Sequence, residues 1–317
     1  MPITMRAVSQ DTAGAPDVLK VVETRRPEPV RGEVLVRVYA AGVNPADWKT
    51  RARGEFATGA TPPFVLGFDV SGVVEAVGAG VTVFRPGDEV YGMPRFPYPA
   101  GAYAEYVTAP ARHFAPRPRS LTHLESGALP LAGLTAWQAL VDTADVRPGQ
   151  RVLVHAAAGG VGHLAVQIAK ARGAHVTGTA SAAKHGLLRE LGADEVVDYR
   201  TEDFAEAVRD MDVVLDTIGG ANLPRSLRTL RPGGTLVSII PPDETFPHAE
   251  AEAADVRAAF MLVEPDHQGL RELTRLVEDG RLRVIADAVF PLEEAAEAHR
   301  LGEQGRTTGK IVLSVAG

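Results

Sequence analysis

A glycine-rich turn between a strand pattern and a helix pattern is the segment of this sequence best suited to chemistry. Residues 152–154 form an apolar run typical of a buried parallel strand, and 161–172 carries apolar residues at helical spacing. Between them, Ala157, Gly159 and Gly162 occupy the three positions of a G-x-G-x-x-G motif, with alanine as the first. Such a turn lets the backbone approach a dinucleotide pyrophosphate, which the helix N-terminus attracts. We expect the pyrophosphate to bind at Ala158, Gly159, Gly160, Val161 and Gly162.

The next strand pattern, at 175–181, indicates which nicotinamide cofactor binds. NAD-specific sites place a carboxylate about 20 residues past the motif, where it holds the ribose 2′-hydroxyl. Here that position is Ser181, and Lys184 follows it. A hydroxyl and an ammonium would bind a 2′-phosphate that a carboxylate would repel. The sequence therefore favours NADP(H). The alternative is that Ser181 caps a helix and Lys184 is a solvated surface charge.

Strand and helix patterns alternate from residue 151 to residue 240, which predicts an α/β fold with a doubly wound parallel sheet. Residues 241–260 are polar or alanine-rich and are expected to leave the sheet edge. The predicted strands are 152–155, 175–179, 195–198, 212–216 and 234–240, and the predicted helices are 161–172, 184–191, 203–209 and 222–230.

The first third of the chain has short valine-rich runs between glycines and prolines, which predicts a small β-rich unit. Helices are expected at 122–128 and 135–141, and an amphipathic helix at 267–278. A further helix is expected near Glu293, and a last strand at 310–315 that could return to the first unit. The early strands are predicted at 33–39, 70–77, 89–92 and 105–108.

The composition excludes several classes of function. The 317 residues are 45% hydrophobic and 23% charged, which is ordinary for a globular chain of two domains. A net charge of −7 argues against nucleic acid as a partner. No apolar run is long enough for a membrane span and no signal-like segment is present, so we expect a cytoplasmic protein. Cysteine is absent and the nine histidines have no ligand spacing, so no metal site is expected.

Five stretches in order resemble the zinc-free branch of the medium-chain dehydrogenase/reductase superfamily, the quinone oxidoreductase or zeta-crystallin-like family. The resemblance implies a GroES-like catalytic domain at 1–127, with 262–317 returning to it, and a Rossmann NADP-binding domain at 128–261. It also implies NADPH-dependent reduction of small-molecule substrates, either quinones or α,β-unsaturated carbonyls. The protein is expected to be a homodimer, as is common in this family. The stretches are 41–49, 86–92, 129–137, 156–162 and 215–220.

Two rival classes of dehydrogenase lack support in the residues. Zinc enzymes of this superfamily use cysteine and a Gly-His-Glu segment, whereas the comparable residues here are Gly67, Phe68 and Asp69. Without a Lewis acid to stabilise an alkoxide, a zinc-independent enzyme should not oxidise simple alcohols. Short-chain reductases need a Tyr-x-x-x-Lys pair, and no tyrosine of this sequence has lysine at that spacing.

The resemblance also suggests individual site residues. The catalytic candidates are Asn44, Asp47 and Lys49; alternatively, Asn44 serves only the turn before Pro45, and the other two form a solvated surface pair. For Lys310, expected near the cofactor, the alternative is again a surface charge. The proton donor is left open between solvent, Lys49, Tyr91 and Tyr98. The cofactor candidates outside the turn are Asn44, Thr135, Ser181, Lys184, Tyr199, Thr217, Ile218, Ser238, Ile239, Gly309 and Lys310.

Two other functions fit the same residues. One is a non-catalytic NADPH-binding protein, acting as a sensor or a structural protein. The other is an enoyl reductase of a biosynthetic pathway.

Overall fold

Three β-sheets and the helices between them make up a computed structural model that describes residues 3–55, 58–244 and 246–316. The strands are β1 (Thr4–Gln10), β2 (Lys20–Arg25), β3 (Glu33–Val43), β4 (Phe64–Val65), β5 (Val70–Val77), β6 (Glu89–Gly92), β7 (Tyr106–Pro110), β8 (Phe114–Pro116), β9 (Arg151–Val154), β10 (His175–Ala180), β11 (Glu195–Asp198), β12 (Met211–Asp216), β13 (Leu230–Ser238), β14 (Arg257–Phe260), β15 (Ala286–Pro291) and β16 (Lys310–Ser314).

Most helices are short, and several begin or end in tighter or wider turns. A π-helical segment, Gln138–Thr143, continues the third helix, and 3₁₀ turns include Ala182–Lys184 and Leu292–Glu294. The α-helices are α1 (Pro45–Arg53), α2 (His123–Gly127), α3 (Pro130–Trp137), α4 (Gly162–Ala171), α5 (His185–Glu190), α6 (Phe204–Ala207), α7 (Asn222–Leu227), α8 (His248–Ala253), α9 (His267–Glu278) and α10 (Ala295–Glu303).

The chain divides into two units, which we treat separately. Unit 1 comprises the residues up to Leu134, Glu264–Glu278 and those from Val284 on, and unit 2 comprises Thr135–Val263 and Asp279–Arg283. The domain boundaries expected at residues 127 and 261 stay predictions. No helix in the described part of the chain is both long and apolar enough to cross a membrane.

Unit 2 contains a six-stranded parallel sheet in the order β11-β10-β9-β12-β13-β14. Leu153, Val214 and Leu236 lie in its core, one on each of three neighbouring strands, and all are fully buried. The strand order reverses between β9 and β12. In open α/β sheets such a reversal leaves a crevice at the carboxyl ends of the strands, where ligands bind. The predicted doubly wound sheet is confirmed.

Two predictions about this region were wrong. Residues 241–260 do not leave the sheet edge: they contain α8 and the edge strand β14, which pairs in parallel with β13. The sequence Arg-Ala-Ala-Phe of β14 has no β-branched residue, so its strand propensity is weak and the pairing decides its conformation. The helix expected to begin at Thr135 begins at Pro130, because proline suits the first turn of a helix.

Unit 1 contains a seven-stranded sheet in which β3 is the longest strand and has several partners. The beginning of β3 pairs with β7, and its end pairs with β16, with Ile311 opposite Val43. Along its other side β3 pairs with β5. This register places Lys310 on one side of Asn44. Asp69, which comes just before β5, lies on the other side.

Candidate functional site

A cluster of three buried polar side chains lies where β3 ends in unit 1. The Lys310 ammonium donates hydrogen bonds to Asn44 Oδ1, to Asp69 Oδ2 at 3.3 Å and to the Val43 carbonyl at 3.1 Å. Asn44 Nδ2 donates to Asp69 Oδ2 at 2.9 Å. An ammonium can only donate and a carboxylate can only accept, so the orientation of the Asn44 amide is fixed. We call Asn44, Asp69 and Lys310 the lysine cluster.

Asp47 lies in the first turn of α1, next to the lysine cluster. Its carboxylate accepts hydrogen bonds from the backbone N–H of Asn44 at 2.8 Å and of Gly67 at 3.0 Å. The carboxyl is fully buried, and this burial raises the pKa of Asp47 to about 7. Asp47 therefore ties the start of α1 to the segment that leads into β5.

Three further buried side chains connect Asp47 to the surface. Arg51 donates to His299 Nδ1 at 3.2 Å, so the proton of the neutral imidazole lies on Nε2, 3.2 Å from the Tyr103 hydroxyl. The Tyr103 hydroxyl in turn donates to Asp47. Burial lowers the pKa of His299 to about 3, and the Arg51 charge adds to this effect. Arg51 also pairs with the exposed Glu303 at 2.6 Å.

Several expected roles in unit 1 change in the light of these contacts. Lys310 is buried, so the surface-charge alternative is wrong, and Asp47 belongs to no solvated pair. The Asn44 side chain forms hydrogen bonds with Asp69 and Lys310, so it does more than serve the turn before Pro45. Lys49 is exposed. Tyr91 donates its hydroxyl to the Leu270 carbonyl at 2.5 Å and burial raises its pKa, so it is a poor proton donor.

The glycine-rich turn of unit 2, residues 156–162, follows β9 and leads into α4; we call it the phosphate turn. A Cβ on Gly162 would lie 2.3 Å from the Ala156 carbonyl oxygen, so only glycine fits at the start of α4. Ala156 itself has a φ of 46°, a left-handed conformation rare for a residue with a side chain. The Gly159 N–H donates to the Ala156 carbonyl at 2.8 Å. These constraints leave a bare backbone before the helix N-terminus, which fits a pyrophosphate.

The other cofactor candidates of unit 2 lie just after the carboxyl ends of the parallel strands. Ser181 follows β10, Tyr199 follows β11, and Thr217 follows β12. The side chains of Tyr199 and Ile218 are more than half exposed, which is unusual for large apolar groups and fits a surface that a ligand covers. The candidates that the sheet brings to this edge are Ala158, Gly159, Gly160, Val161, Gly162, Ser181, Lys184, Tyr199, Thr217, Ile218, Ser238 and Ile239.

A second cation stands near the end of β11, and the sequence reasoning missed it. The Arg200 guanidinium lies 5.8 Å from the centre of the Tyr199 ring. Asp198, which could repel a phosphate here, accepts the backbone N–H of Ala182 at 3.2 Å and of Arg200 at 3.0 Å. A basic residue directly after a strand end was the signal that could have found Arg200.

The remaining candidates are buried or tightly packed. Thr135 is buried in α3 and belongs to unit 2. Gly309, before β16 in unit 1, has a φ of 75°, and a Cβ there would lie 2.4 Å from the Ile285 carbonyl oxygen.

The donor set does not fit a zinc ion. Among residues 3–55, 58–244 and 246–316, no three His, Asp or Glu side chains come together in an arrangement that could hold a metal. The oxygens of Asn44 and Asp69 that converge in unit 1 already accept from the Lys310 ammonium, a fixed positive charge. A metal at these oxygens would have to displace a buried cation that belongs to the chain.

Comparisons with known sequences identify the family. Residues 30–119 match the family described as Alcohol dehydrogenase GroES-like domain, and residues 191–313 match Zinc-binding dehydrogenase. A chloroplastic quinone oxidoreductase of Triphysaria versicolor is 34% identical, over 98% of this chain and 98% of its own length. The pikromycin polyketide synthase component PikAII of Streptomyces venezuelae is 41% identical over 92% of this chain, which spans only 8% of that protein.

Solved structures of similar chains have the same fold. The quinone oxidoreductase from Coxiella burnetii has a TM-score of 0.90 and 38% identity, covering 99% of this chain and 100% of that one. The CurK enoyl reductase has a TM-score of 0.88 and 31% identity, with coverage of 98% and 99%. A mycobacterial protein in complex with NADPH has a TM-score of 0.86 and 33% identity, also with coverage of 98% and 99%. The chain therefore belongs to the medium-chain dehydrogenase/reductase superfamily and is an oxidoreductase like its quinone oxidoreductase members.

Proposed function

We propose that this protein uses NADPH to reduce quinones or α,β-unsaturated carbonyl compounds without zinc. The observation that carries the proposal is the edge of the parallel sheet, where the phosphate turn and two strand ends combine a bare backbone with basic side chains. When bound, NADPH supplies a hydride. The residues of the chain bind and orient it.

The choice of NADPH rests on the residues after β10 and β11. Ser181 stands where NAD-specific sites carry a carboxylate. Lys184 and Arg200 supply positive charge in the neighbouring turns, and the Asp198 carboxylate is occupied by two backbone N–H groups. A 2′-phosphate carries more than one negative charge, which such cations stabilise. The similar mycobacterial structure was solved with NADPH.

The choice of acceptor rests on the donor set of unit 1. Oxidation of a simple alcohol gains its main electrostatic support from a metal that stabilises the alkoxide, and the oxygens near Asn44 do not fit one. A quinone or an enone spreads the incoming charge onto its own oxygen and needs only hydrogen-bond donors or a positive field. The catalytic roles of Asn44, Asp47 and Lys49 stay predictions, and we propose that the buried Asn44 and Asp47 act by holding the site in shape.

The experiment is a turnover assay with the purified chain. NADPH and NADH are each tested with 1,4-naphthoquinone and with 2-cyclohexen-1-one. In the reverse direction, NADP⁺ is tested with ethanol. The absorbance of the reduced nicotinamide is followed in every assay. We expect NADPH consumption with the quinone or the enone, unchanged by a zinc chelator. Equal turnover with NADH, or alcohol oxidation that a chelator abolishes, contradicts the proposal. Tight NADPH binding with no turnover of any acceptor favours the sensor or structural role.

A second candidate is an enoyl reductase acting on a carrier-bound thioester. The 41% identity to a segment of a polyketide synthase and the likeness to the CurK enoyl reductase favour it. Adding crotonyl-pantetheine to the same panel separates the candidates, because a carrier-directed enzyme should prefer the thioester to the free enone.

We also propose a homodimer in the cytoplasm, as the sequence led us to expect. β14 is the last strand in the order of this sheet, and a second copy could pair with it to extend the sheet. Light scattering of the purified chain measures its molecular mass and tests the oligomeric state.

A further inference from the structure

His155 is the buried residue between β9 and the phosphate turn, and the proposed chemistry leaves it without a role. Both ring nitrogens have partners: Nδ1 lies 3.2 Å from the Thr179 hydroxyl, and Nε2 lies 3.0 Å from the Ser226 hydroxyl. The ring packs edge-on against Phe204, with centroids 4.5 Å apart. Burial lowers the pKa of His155 to about 4, so the ring is neutral at pH 7 and has one N–H donor and one acceptor.

On one side His155 connects to the phosphate turn. The Thr179 hydroxyl accepts a hydrogen bond from the Ala156 N–H at 3.2 Å, and the Thr179 carbonyl accepts from the Ala157 N–H at 2.9 Å. Thr179 therefore anchors the strained Ala156, on which the shape of the turn depends. The hydroxyl proton of Thr179 is left for His155 Nδ1.

On the other side His155 connects to residues 216–219, which end β12 at the carboxyl edge of the sheet. We call them the ribose loop, because ligands bind at this edge of open α/β sheets and we expect the nicotinamide ribose there. Ser226 Oγ donates to the Asn222 carbonyl at 2.9 Å and lies 3.3 Å from Asp216 Oδ2, which also accepts from Asn222 Nδ2 at 3.0 Å. Asp216 Oδ1 accepts the N–H groups of Ile218 at 2.8 Å and Gly219 at 2.7 Å. Thr217 also donates its hydroxyl to the His155 carbonyl at 3.0 Å.

One tautomer of His155 gives both of its hydroxyl partners an acceptor for their protons. With the proton on Nε2, the bonds run in one direction: Ala156 N–H to Thr179, Thr179 O–H to Nδ1, and Nε2–H to Ser226. The Ser226 hydroxyl then donates to the Asn222 carbonyl, with Asp216 Oδ2 as its more distant acceptor, and Asn222 Nδ2 donates to Asp216 Oδ2. With the proton on Nδ1, the Thr179 hydroxyl would lose its acceptor, because Thr179 would then receive two N–H groups. Thr179 thus sets the tautomer of His155, and the Nε2 proton orients Ser226 toward Asn222 and Asp216.

We propose that His155 is a positioning residue that holds the phosphate turn and the ribose loop of the cofactor site in one fixed arrangement through this directed chain of hydrogen bonds. The inference rests on the proposed binding of NADPH. A cofactor that spans both segments gains from their fixed spacing, because the protein has already ordered them. A fragment that reaches only the phosphate turn gains little.

The test is a double-mutant cycle on the two ends of the chain, Thr179→Val and Ser226→Ala. Dissociation constants are measured calorimetrically for NADPH and for adenosine 2′,5′-bisphosphate, a fragment without the nicotinamide half. We expect Ser226→Ala to weaken NADPH about tenfold, the usual size for a lost buried hydrogen bond, and to change fragment binding less than about twofold. The double variant should bind NADPH about as well as the weaker single variant, since either change already breaks the chain.

Thr177→Val is the matched control. Thr177 is two residues earlier on β10 and fully buried, and its hydroxyl has no hydrogen-bond partner in the described part of the chain. This variant should leave NADPH binding unchanged. His155→Phe keeps an aromatic ring without the two nitrogens, and its NADPH affinity should match that of the double variant. If His155→Phe does not fold, the cycle of Thr179→Val and Ser226→Ala tests the inference without it.

Each other outcome counts against the inference in a recognisable way. Effects of Thr179→Val and Ser226→Ala that multiply in the double variant, or equal losses for NADPH and the fragment in Ser226→Ala, show separate structural roles and overturn it. A lower unfolding free energy with unchanged NADPH affinity does the same. A wild-type protein that binds neither ligand overturns the proposed function, and this inference with it.

Discussion

The Lys310 ammonium donates a hydrogen bond to the side-chain oxygen of Asn44, although the two residues are 266 positions apart in the sequence. The pairing of β16 with the end of β3 creates this contact, and Asp69 completes it from the opposite side of β3. A buried positive charge, a buried carboxylate and an amide thus share one small volume. The consequences can be tested residue by residue.

Replacing Lys310 should destabilise unit 1 because it leaves the Asp69 carboxylate buried without its cation. We expect Lys310→Met to lower the free energy of unfolding by about 3–5 kcal/mol. Adding Asp69→Asn should restore part of that loss, because the unpaired charge is removed. Urea denaturation of the variants measures both effects. Lys49→Met, which alters an exposed lysine on α1, is the control, and equal stability of the two lysine variants would contradict this role.

Asp47 should make stability depend on pH in a particular direction. Its pKa in the folded protein, about 7, lies above the ordinary value, so the folded state holds this proton more tightly than the unfolded chain. The stabilising contribution is complete below about pH 4 and is lost as the pH rises through 7. Two pH units correspond to about 3 kcal/mol, so Asp47→Asn should remove a fall of that order between pH 5 and pH 7.5.

Denaturant midpoints for the wild type and Asp47→Asn at the two pH values provide the measurement. Asp11→Asn alters an exposed carboxyl and serves as the control. The same pH dependence in the wild type and in Asp47→Asn would show that Asp47 does not carry the effect.

Gly162→Ala should damage the phosphate turn without a large change elsewhere. The added Cβ would lie 2.3 Å from the Ala156 carbonyl oxygen, so the turn or the start of α4 must shift. We expect NADPH affinity, measured by calorimetry, to fall at least about tenfold, as for a lost charge-assisted bond. Gly186→Ala adds its Cβ to open space in α5 and should keep the affinity while stabilising the helix by about 0.5–1 kcal/mol. Equal affinities for the two variants would be evidence against a tight turn.

Reversing the charges after β10 and β11 should change which cofactor binds. Lys184→Glu and Arg200→Glu place carboxylates where we propose that the 2′-phosphate lies. Each should reduce the preference for NADPH over NADH by about 10-fold to 100-fold, mainly by weakening NADPH. Lys20→Glu, an equal charge change at an exposed position of unit 1, should leave the ratio of dissociation constants unchanged. A constant ratio in Lys184→Glu and Arg200→Glu would exclude these residues from cofactor discrimination.

The sequence by itself determined the features that depend on neighbours in the chain. The apolar runs of β9, β10, β11 and β12 and the helical spacing of α4 fixed the alternating fold to within a few residues. The glycines at 159 and 162 fixed the place of the phosphate turn, because a tight turn needs them locally. A local pattern could do less for β14, whose residues have weak strand propensity and gain their conformation from β13.

Only the tertiary structure decided which distant polar residues meet. Nothing near Lys310 in the sequence indicates that it is buried; the register of β16 on β3 places it against Asn44 and Asp69. Likewise, β12 runs beside β9, and this pairing brings Asp216 near His155. A buried polar group must find a partner, and its partner is chosen by strand pairing and packing, which the local sequence does not encode.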